Sequence, residues 1–169
     1  MPLRSDWSEE LCPVRRGLDV LGDPWILLIM REVLHGRHRF DEIRESIGIS
    51  DAVLSRRLRL LVDEELLRKV EYRADRRTHF EYLPTEAGAD LLPIMQAVSI
   101  WAEKHTPMPE GGMHMALIHE ACGAETTSAD TCTACGATLR ADEMSWDKPW
   151  KSTREHLVGA RAGSPGQPS

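Results

Sequence analysis

Four residues in the C-terminal third of the chain have the types and the spacing of a metal site. His119-Glu-Ala-Cys122-Gly and Cys132-Thr-Ala-Cys135-Gly form a near-repeat, in which two residues separate the paired ligands and a glycine follows. Thiolate and imidazole groups in such pairs, with a glycine that permits a tight turn, are typical of tetrahedral zinc sites. We predict that His119, Cys122, Cys132 and Cys135 hold a structural Zn²⁺, because four protein ligands leave no open position.

Other interpretations of these thiols stay open. They could be unrelated core cysteines, His114 could replace one ligand, or oxidation could eject the metal. The segment is polar and short, so a metal would supply folding free energy on the order of 10 kcal/mol. A redox enzyme that uses Cys132 and Cys135 is disfavoured, because the chain shows no thioredoxin-like βαβ pattern, Ser/His/Asp constellation or phosphate loop.

Cys12 stands apart from this group, just before a predicted helix and close to Arg15 and Arg16. A helix N-terminus and nearby cations stabilise a thiolate, which makes a cysteine more reactive. Cys12 is therefore a candidate redox sensor. The alternative is a small residue buried at a dimer seam, since free cysteine is often buried.

Residues 40–84 have the order of elements of a winged helix-turn-helix. A predicted helix over Phe40–Ile47 is followed by a tight turn, a helix over Asp51–Glu64 capped by Ser50, and a hairpin with its tip at 74–77. A winged helix-turn-helix places its second helix in the DNA major groove. The predicted fold is mostly α with a small β-hairpin wing, plus a short zinc-knuckle module.

The second helix of this unit has one apolar face and one small, cationic face. Small side chains allow a close approach to DNA, and arginine binds guanine edges or phosphates. We predict that Arg56 contacts a base and that the hairpin tip grips the minor groove or its phosphates. The predicted DNA-binding residues are Arg39, Ser50, Ser55, Arg56, Arg57, Arg59, Arg76 and Arg77. The alternative is an ordinary solvated helix followed by a charged turn.

Two helices are predicted to flank this unit. Asp23 should cap a helix that begins at Pro24, and Thr85 should cap a long helix that ends near His105. The long helix carries more apolar residues than one face needs, so we expect part of it to pack against a second copy of the chain. Two prolines and two glycines in residues 106–112 indicate a linker.

The charge of the whole chain permits DNA binding without requiring it. The net charge is −6, but residues 31–79 contain twelve Lys and Arg against ten Asp and Glu. A DNA-binding face needs cations at that face, but the protein as a whole need not be basic. No apolar run approaches the roughly 20 residues of a membrane helix, and no signal peptide is evident, so we expect a cytoplasmic protein without a membrane partner.

Several short blocks between Cys12 and His105 occur together in a characteristic order. They are Cys12-Pro13-Val14, Leu18-Asp19-Val20-Leu21-Gly22, Pro24-Trp25-Ile26-Leu27-Leu28-Ile29, Arg39-Phe40-Asp41-Glu42-Ile43, Ile49-Ser50, Val53-Leu54-Ser55-Arg56-Arg57-Leu58 and Tyr82-Leu83-Pro84-Thr85-Glu86-Ala87-Gly88. This set resembles the HxlR family of winged-helix bacterial transcription regulators, relatives of the MarR group. The resemblance implies a homodimer, a palindromic operator and control of neighbouring genes, and some family members use a cysteine in the Cys-Pro context of Cys12 to sense electrophiles or oxidants. Family members normally end soon after the position of His105, so the residues from Met113 onward are an addition.

These patterns predict a dimeric repressor that binds an inverted repeat in double-stranded DNA, is not an enzyme, and could respond to an electrophile, an oxidant or a small ligand. The predicted domains are a DNA-binding and dimerisation domain over 1–105, a linker over 106–112, a zinc-ribbon-like module over 113–146 and a tail over 147–169 with a disordered end. The alternative is a protein-interaction module without specific DNA binding.

Overall fold

The computed structural model describes residues 6–74 and 77–160, with only the backbone of Ala74 and Arg77. The chain packs into two units. The first contains the described residues up to Val33 together with Arg37–Leu83, and the second contains Leu34–Gly36 and the described residues from Pro84 onward. The four domain ranges predicted from the sequence also assign a function to each part of the chain, and they stay a prediction.

The first unit has the element order of a winged helix-turn-helix, as predicted. The N-terminal part of this unit forms two helices, the helix-turn-helix forms two more, and a two-stranded sheet follows. These elements are α1 (Pro13–Leu21), α2 (Pro24–Leu34), α3 (Phe40–Ile47), α4 (Asp51–Asp63), β1 (Leu67–Ala74) and β2 (Arg77–Pro84).

Local chemistry explains where the helices of the first unit begin and end. The Asp23 carboxylate accepts a hydrogen bond of 2.9 Å from the Trp25 amide, which caps α2. Gly48 ends α3 with a left-handed φ of 66°. Ser50 is the first residue before α4, but its side chain makes no capping hydrogen bond. The leucines of α4 at 54, 58 and 61 are buried, which fixes the opposite face toward solvent.

A buried carboxylate links α2 to α3. The Ser46 hydroxyl donates to Glu32 at 2.5 Å, and the guanidinium groups of Arg31 and Arg37 lie 2.7 and 3.1 Å from its oxygens. Burial raises the pKa of Glu32, but these donors and cations more than offset that effect, so the pKa lies below its ordinary value of 4.5. Glu32 is therefore ionised at neutral pH although it is only 2% exposed.

The second unit combines two helices with an antiparallel sheet of four strands. The sheet order is β4-β3-β5-β6, and 3₁₀ turns at Ala141–Glu143 and Pro149–Lys151 precede its last two strands. The elements are α5 (Glu86–Ala89), α6 (Leu92–His105), β3 (Ala116–His119), β4 (Ala124–Thr126), β5 (Met144–Lys148) and β6 (Thr153–His156).

Two features of the second unit differ from the sequence-based expectation. The predicted helix from Thr85 to His105 is broken after Ala89, because in a continuous helix the Pro93 ring would clash with the Ala89 carbonyl and could donate no hydrogen bond to it. Thr85 does cap the first piece, through a 3.1 Å hydrogen bond from the Gly88 amide. The sheet also runs through β5 and β6 to residue 156, beyond the predicted end of the zinc-knuckle module.

A lysine on β5 is buried in a polar cluster of the second unit. The Lys148 ammonium lies 2.6 Å from a Glu155 oxygen and 3.1 Å from the His35 Nε2. The His35 ring packs edge-on against Trp146, with 5.0 Å between centroids. Residues just after α2 therefore contribute to this core.

Within residues 6–74 and 77–160, no helix has the length and apolar character needed to cross a membrane.

Candidate metal centre and DNA-binding face

The two halves of the His/Cys near-repeat have the same backbone geometry. In the first half the Gly123 amide donates to the His119 carbonyl at 2.8 Å, and in the second the Gly136 amide donates to the Cys132 carbonyl at 2.9 Å. Both glycines are left-handed, with φ of 69° and 76°. This conformation explains why glycine follows the second ligand of each pair.

The four predicted ligands converge, with all their ligand atoms within 4.8 Å of one another. The His119 Nδ1 lies 3.4 Å from the sulfurs of both Cys122 and Cys135, and the sulfurs of Cys122 and Cys132 are 3.7 Å apart. Ordinary zinc bond lengths in a tetrahedron give about 3.6 Å between nitrogen and sulfur and about 3.8 Å between two sulfurs. The cluster therefore has the donors and the dimensions to bind a metal ion.

The pKa values of two of the thiols are shifted in opposite directions, as expected for acidic groups that share one site. A hydrogen bond from the Cys135 amide lowers the pKa of the Cys132 thiol to about 6. The Ala124 amide lowers the pKa of the Cys122 thiol, but burial and the neighbouring thiols offset this, so that pKa is raised. Neighbouring acidic groups without a cation between them cannot all ionise together, so their pKa values separate. A bound cation would relieve this conflict.

A carboxylate stands behind the imidazole of the cluster. His119 is 1% exposed, and its Nε2 has no hydrogen-bond partner among the described residues. The nearest carboxylate oxygen of Glu143 lies 3.9 Å away. Such a group can fix the tautomer and orientation of a metal-bound histidine. Glu143 could not be predicted as part of the site, because it lies 24 residues from His119 and has no motif of its own.

Thr126 braces the segment that carries the second ligand pair. Its hydroxyl accepts hydrogen bonds from the amides of Thr133 at 3.2 Å and Ser128 at 3.3 Å, and it donates to the Thr131 carbonyl. His114, the alternative ligand, lies outside the cluster. It contacts Glu125 at 3.0 Å and Glu103 at 3.5 Å, and these carboxylates raise its pKa.

The outer face of α4 presents the residues that were predicted to bind DNA. Ser50, Ser55, Arg56 and Arg59 are all exposed. Because the leucines of the same helix are buried, these side chains lie opposite the core of the first unit. The face combines small and cationic groups, as a helix that enters the major groove requires.

Arg57 occupies a different environment from its neighbours. Its guanidinium group pairs with the Asp23 carboxylate, and the two side chains are only 12% and 14% exposed. Asp23 therefore caps α2 and also binds α4. A contact between Arg57 and DNA stays a prediction, but in the free chain this guanidinium holds α4 against the start of α2. This pair could not be predicted from the sequence, because its members are 34 residues apart.

Of the other predicted cations, only Arg39 has a described side chain, and it contacts strands of the wing. Arg39 precedes α3, and its Nε lies 3.3 Å from a Glu81 oxygen, while its guanidinium lies 5.1 Å from the centre of the Tyr72 ring. The Glu81 hydrogen bond raises the pKa of Arg39. Arg76 lies outside the described residues, and the side chain of Arg77 is not described.

Cys12 is exposed at the N-terminal end of α1. The adjacent arginines are engaged with the segment before it. Arg16 donates to the carbonyls of Glu10 and Leu11 at 2.6 and 2.8 Å, and Arg15 pairs with the Glu10 carboxylate at 2.8 Å. The two arginines that were expected to activate this thiol are therefore bound to Glu10 and Leu11.

Comparison with known proteins decides the family. A family model for HxlR-like helix-turn-helix proteins matches residues 20–110, which is more than half of the chain. The chain belongs to the HxlR family. Its curated relatives are helix-turn-helix transcriptional regulators, so this HxlR protein is a transcriptional regulator and not an enzyme.

Similarity to individual HxlR proteins extends past the helix-turn-helix. The HTH-type transcriptional regulator Mb3122 of Mycobacterium bovis is 38% identical over 128 residues, which cover 76% of this chain and 80% of Mb3122. Because only 19 residues precede the family match, an alignment of this length continues beyond residue 110. Part of the added segment is therefore similar in a relative.

Solved structures support the same assignment. The crystal structure of PA1607, a proposed transcription factor, aligns with a TM-score of 0.64 and 32% identity, over 81% of this chain and 94% of that one. The reduced form of the redox regulator HypR aligns with a TM-score of 0.51 and 30% identity, over 55% of this chain and 92% of HypR. The PA1607 match thus covers far more of this chain than the HypR match.

Proposed function

We propose that this HxlR protein is a dimeric, cytoplasmic repressor that binds an inverted repeat in double-stranded DNA. The observation that carries the proposal is the exposed face of α4, where Ser55, Arg56 and Arg59 lie opposite a buried row of leucines. Two such helices, about 34 Å apart in a dimer, would enter successive major grooves on one side of the DNA. A repressor would act by occupying a promoter.

Each DNA-binding residue has a proposed role. Arg56 contacts a base edge, while Ser50, Ser55 and Arg59 contact bases or phosphates. Arg39 supports the base of the wing through Glu81 and reaches the DNA backbone with its exposed half. The remaining wing cations, Arg76 and Arg77, grip the minor groove or its phosphates. Arg57 is assigned mainly to positioning, because its partner is Asp23.

Exposed apolar side chains on two helices support a homodimer. On α6, Ile94, Val98 and Trp101 recur at helical spacing and are 42%, 52% and 60% exposed. On α1, Val14 and Leu18 are 66% and 50% exposed. Apolar side chains that share a helix face in this way mark an interaction surface. We propose that each of these two surfaces, one on α1 and one on α6, packs against a second copy of the chain.

The proposed occupant of the His/Cys cluster is a structural Zn²⁺ ion bound by His119, Cys122, Cys132 and Cys135. Bound zinc would supply folding free energy to the short strands and loops around it. All four positions of a tetrahedron are taken by protein, which leaves none for a substrate. Metal analysis of the purified full chain, with Cys132→Ser as the control, tests this assignment.

Cys12 is the proposed site of a redox response. It is exposed, and the related HypR is named a redox regulator and solved in reduced and oxidised forms. A reagent that modifies this thiol would alter the geometry of the dimer and so the affinity for DNA. If operator affinity is the same with and without oxidant in both the native chain and Cys12→Ser, Cys12 is not the sensor.

Selection of genomic fragments by the purified protein tests the function as a whole. The expected result is a short inverted repeat whose affinity falls linearly on a plot of log affinity against log salt. Arg56→Ala should weaken this binding while the protein stays folded. If no fragment is enriched over bulk DNA, the DNA-binding proposal is wrong and the winged unit is a protein-interaction scaffold.

A further inference from the structure

We propose that the His/Cys cluster is itself an oxidant sensor, in which oxidation joins Cys122 to Cys132, releases the metal and thereby loosens α6. The inference rests on the proposed metal site and is independent of Cys12. Cys122 is exposed, whereas Cys132 is buried, and their sulfurs lie 3.7 Å apart. An oxidant arriving from solvent therefore reaches the first sulfur while the second stays protected beside it.

The chemistry balances with a peroxide as the oxidant. The Cys122 thiolate attacks one peroxide oxygen, an S–O bond forms, the O–O bond breaks, and the departing hydroxide takes a proton to become water. The Cys132 thiolate then attacks the Cys122 sulfur, an S–S bond forms, the S–O bond breaks, and a second hydroxide leaves and is protonated. The two sulfurs lose two electrons and the peroxide gains them. The site is left with one thiolate and one imidazole, too few donors to retain zinc tightly.

The segment that carries the second ligand pair lies outside the helices and the sheet, and without the metal it depends on contacts such as the hydrogen bonds of Thr126. Residues 127–140 contain neither a helix nor a strand, and an isolated bridge joins Thr131 to Thr138. The opposite ligand His119 lies instead on β3, which pairs with strands on both sides. Loss of the metal should therefore release residues 127–140 first, while β3 keeps its ladder.

One hydrogen bond connects this segment to α6. The Gln96 side chain is fully buried on α6 and donates to the Ala129 carbonyl at 2.6 Å. Its Oε1 has no hydrogen-bond partner among the described residues. If residues 127–140 move away, the buried Gln96 amide loses its acceptor. A buried donor without a partner destabilises the helix that carries it, which is α6. The same helix carries the exposed apolar residues proposed for the dimer. Oxidation of the cluster would therefore alter the dimer interface through Gln96.

The test uses the full chain with Cys12→Ser, purified with its metal and treated with hydrogen peroxide. We expect one zinc ion per chain before treatment. After treatment we expect its transfer to a chromogenic chelator, a mass lower by two hydrogen atoms, and a Cys122–Cys132 disulfide in the peptide map. A chain that neither carries nor takes up zinc overturns the metal site itself. If the chain carries zinc and keeps it after treatment with hydrogen peroxide, the metal site stands and only the proposed sensor role is wrong.

Matched variants identify the disulfide and the route to α6. Cys135→Ser should still form the disulfide under peroxide, whereas Cys122→Ser should not. The reverse pattern, with a Cys132–Cys135 bond, overturns the assigned pair. Hydrogen exchange in α6 should rise on oxidation of the native cluster. In Gln96→Leu, zinc release should persist but α6 exchange should no longer respond to oxidation. An equal response in that variant overturns the proposed route.

Discussion

The pair between Asp23 and Arg57 should contribute strongly to the stability of the first unit. Asp23 contributes in two ways, because it caps α2 through the Trp25 amide and also binds a guanidinium on α4. Removing one partner of a buried ion pair typically costs about 3–5 kcal/mol, because the remaining charge is left uncompensated. A helix cap is worth about 1 kcal/mol. Both Asp23 and Arg57 keep slight exposure, so we expect the low end of the range for the pair.

Substitutions at the two positions separate these contributions. Asp23→Asn keeps the cap, since Asn caps helices about as well as Asp, and should lower the unfolding free energy by about 3 kcal/mol. Asp23→Ala should lose about 1 kcal/mol more. Adding Arg57→Leu to Asp23→Asn should recover much of the loss, because an apolar replacement for a buried pair is often neutral.

Urea unfolding of the full chain, followed by circular dichroism, measures these differences. Arg56→Ala is the matched control, since Arg56 is exposed and adjacent to Arg57. A surface change of this kind should stay within about 0.5 kcal/mol of the native chain. The reasoning is refuted if Asp23→Asn is as stable as the native protein. It is also refuted if Arg57→Leu weakens DNA binding without any loss of stability, because Arg57 would then be a contact residue.

Three further outcomes are expected. Arg56→Ala should cost about 1–3 kcal/mol of operator affinity in a binding titration, and equal loss for random DNA would contradict a base contact. The lowered pKa of Glu32 contributes stability that is present above the ordinary pKa of 4.5 and is lost as the pH falls through the lower folded value. Acid unfolding of Glu32→Gln should therefore depend less on pH in this range, and an unchanged pH profile would contradict the network. Glu143→Gln should weaken zinc binding about 10–100-fold in a chelator competition, whereas unchanged affinity would exclude its role behind His119.

The sequence predicted the parts of the molecule whose chemistry is local. The turn before α4 needs the left-handed conformation of Gly48, and this requirement is visible from the glycine itself. The ligand cluster was predictable because each pair of ligands lies within one tight turn. In both cases the spacing of residues carries the geometry.

Features that depend on distant partners could not be predicted in this way. Arg57 has the sequence context of a DNA-binding residue, and only the fold brings Asp23 beside it. The strands β5 and β6 are short, and the turn between them contains Pro149, so they lack the long alternation that identifies a strand. The break between α5 and α6 was missed although Pro93 marks it, because apolar spacing continued across the proline.

The positions of Leu34–Gly36 in the second unit affect how the chain can be divided. These residues lie between α2 and α3 in sequence, yet the Leu34 carbonyl accepts a 2.7 Å hydrogen bond from the Val158 amide, and His35 joins the core around Lys148. Each unit is therefore interrupted in sequence by part of the other. A protein truncated near residue 110 would keep Leu34–Gly36 but lose their partners Lys148 and Val158. Deletion of the added segment would therefore not restore a minimal family member, and its effect on DNA binding could not be assigned to the metal alone.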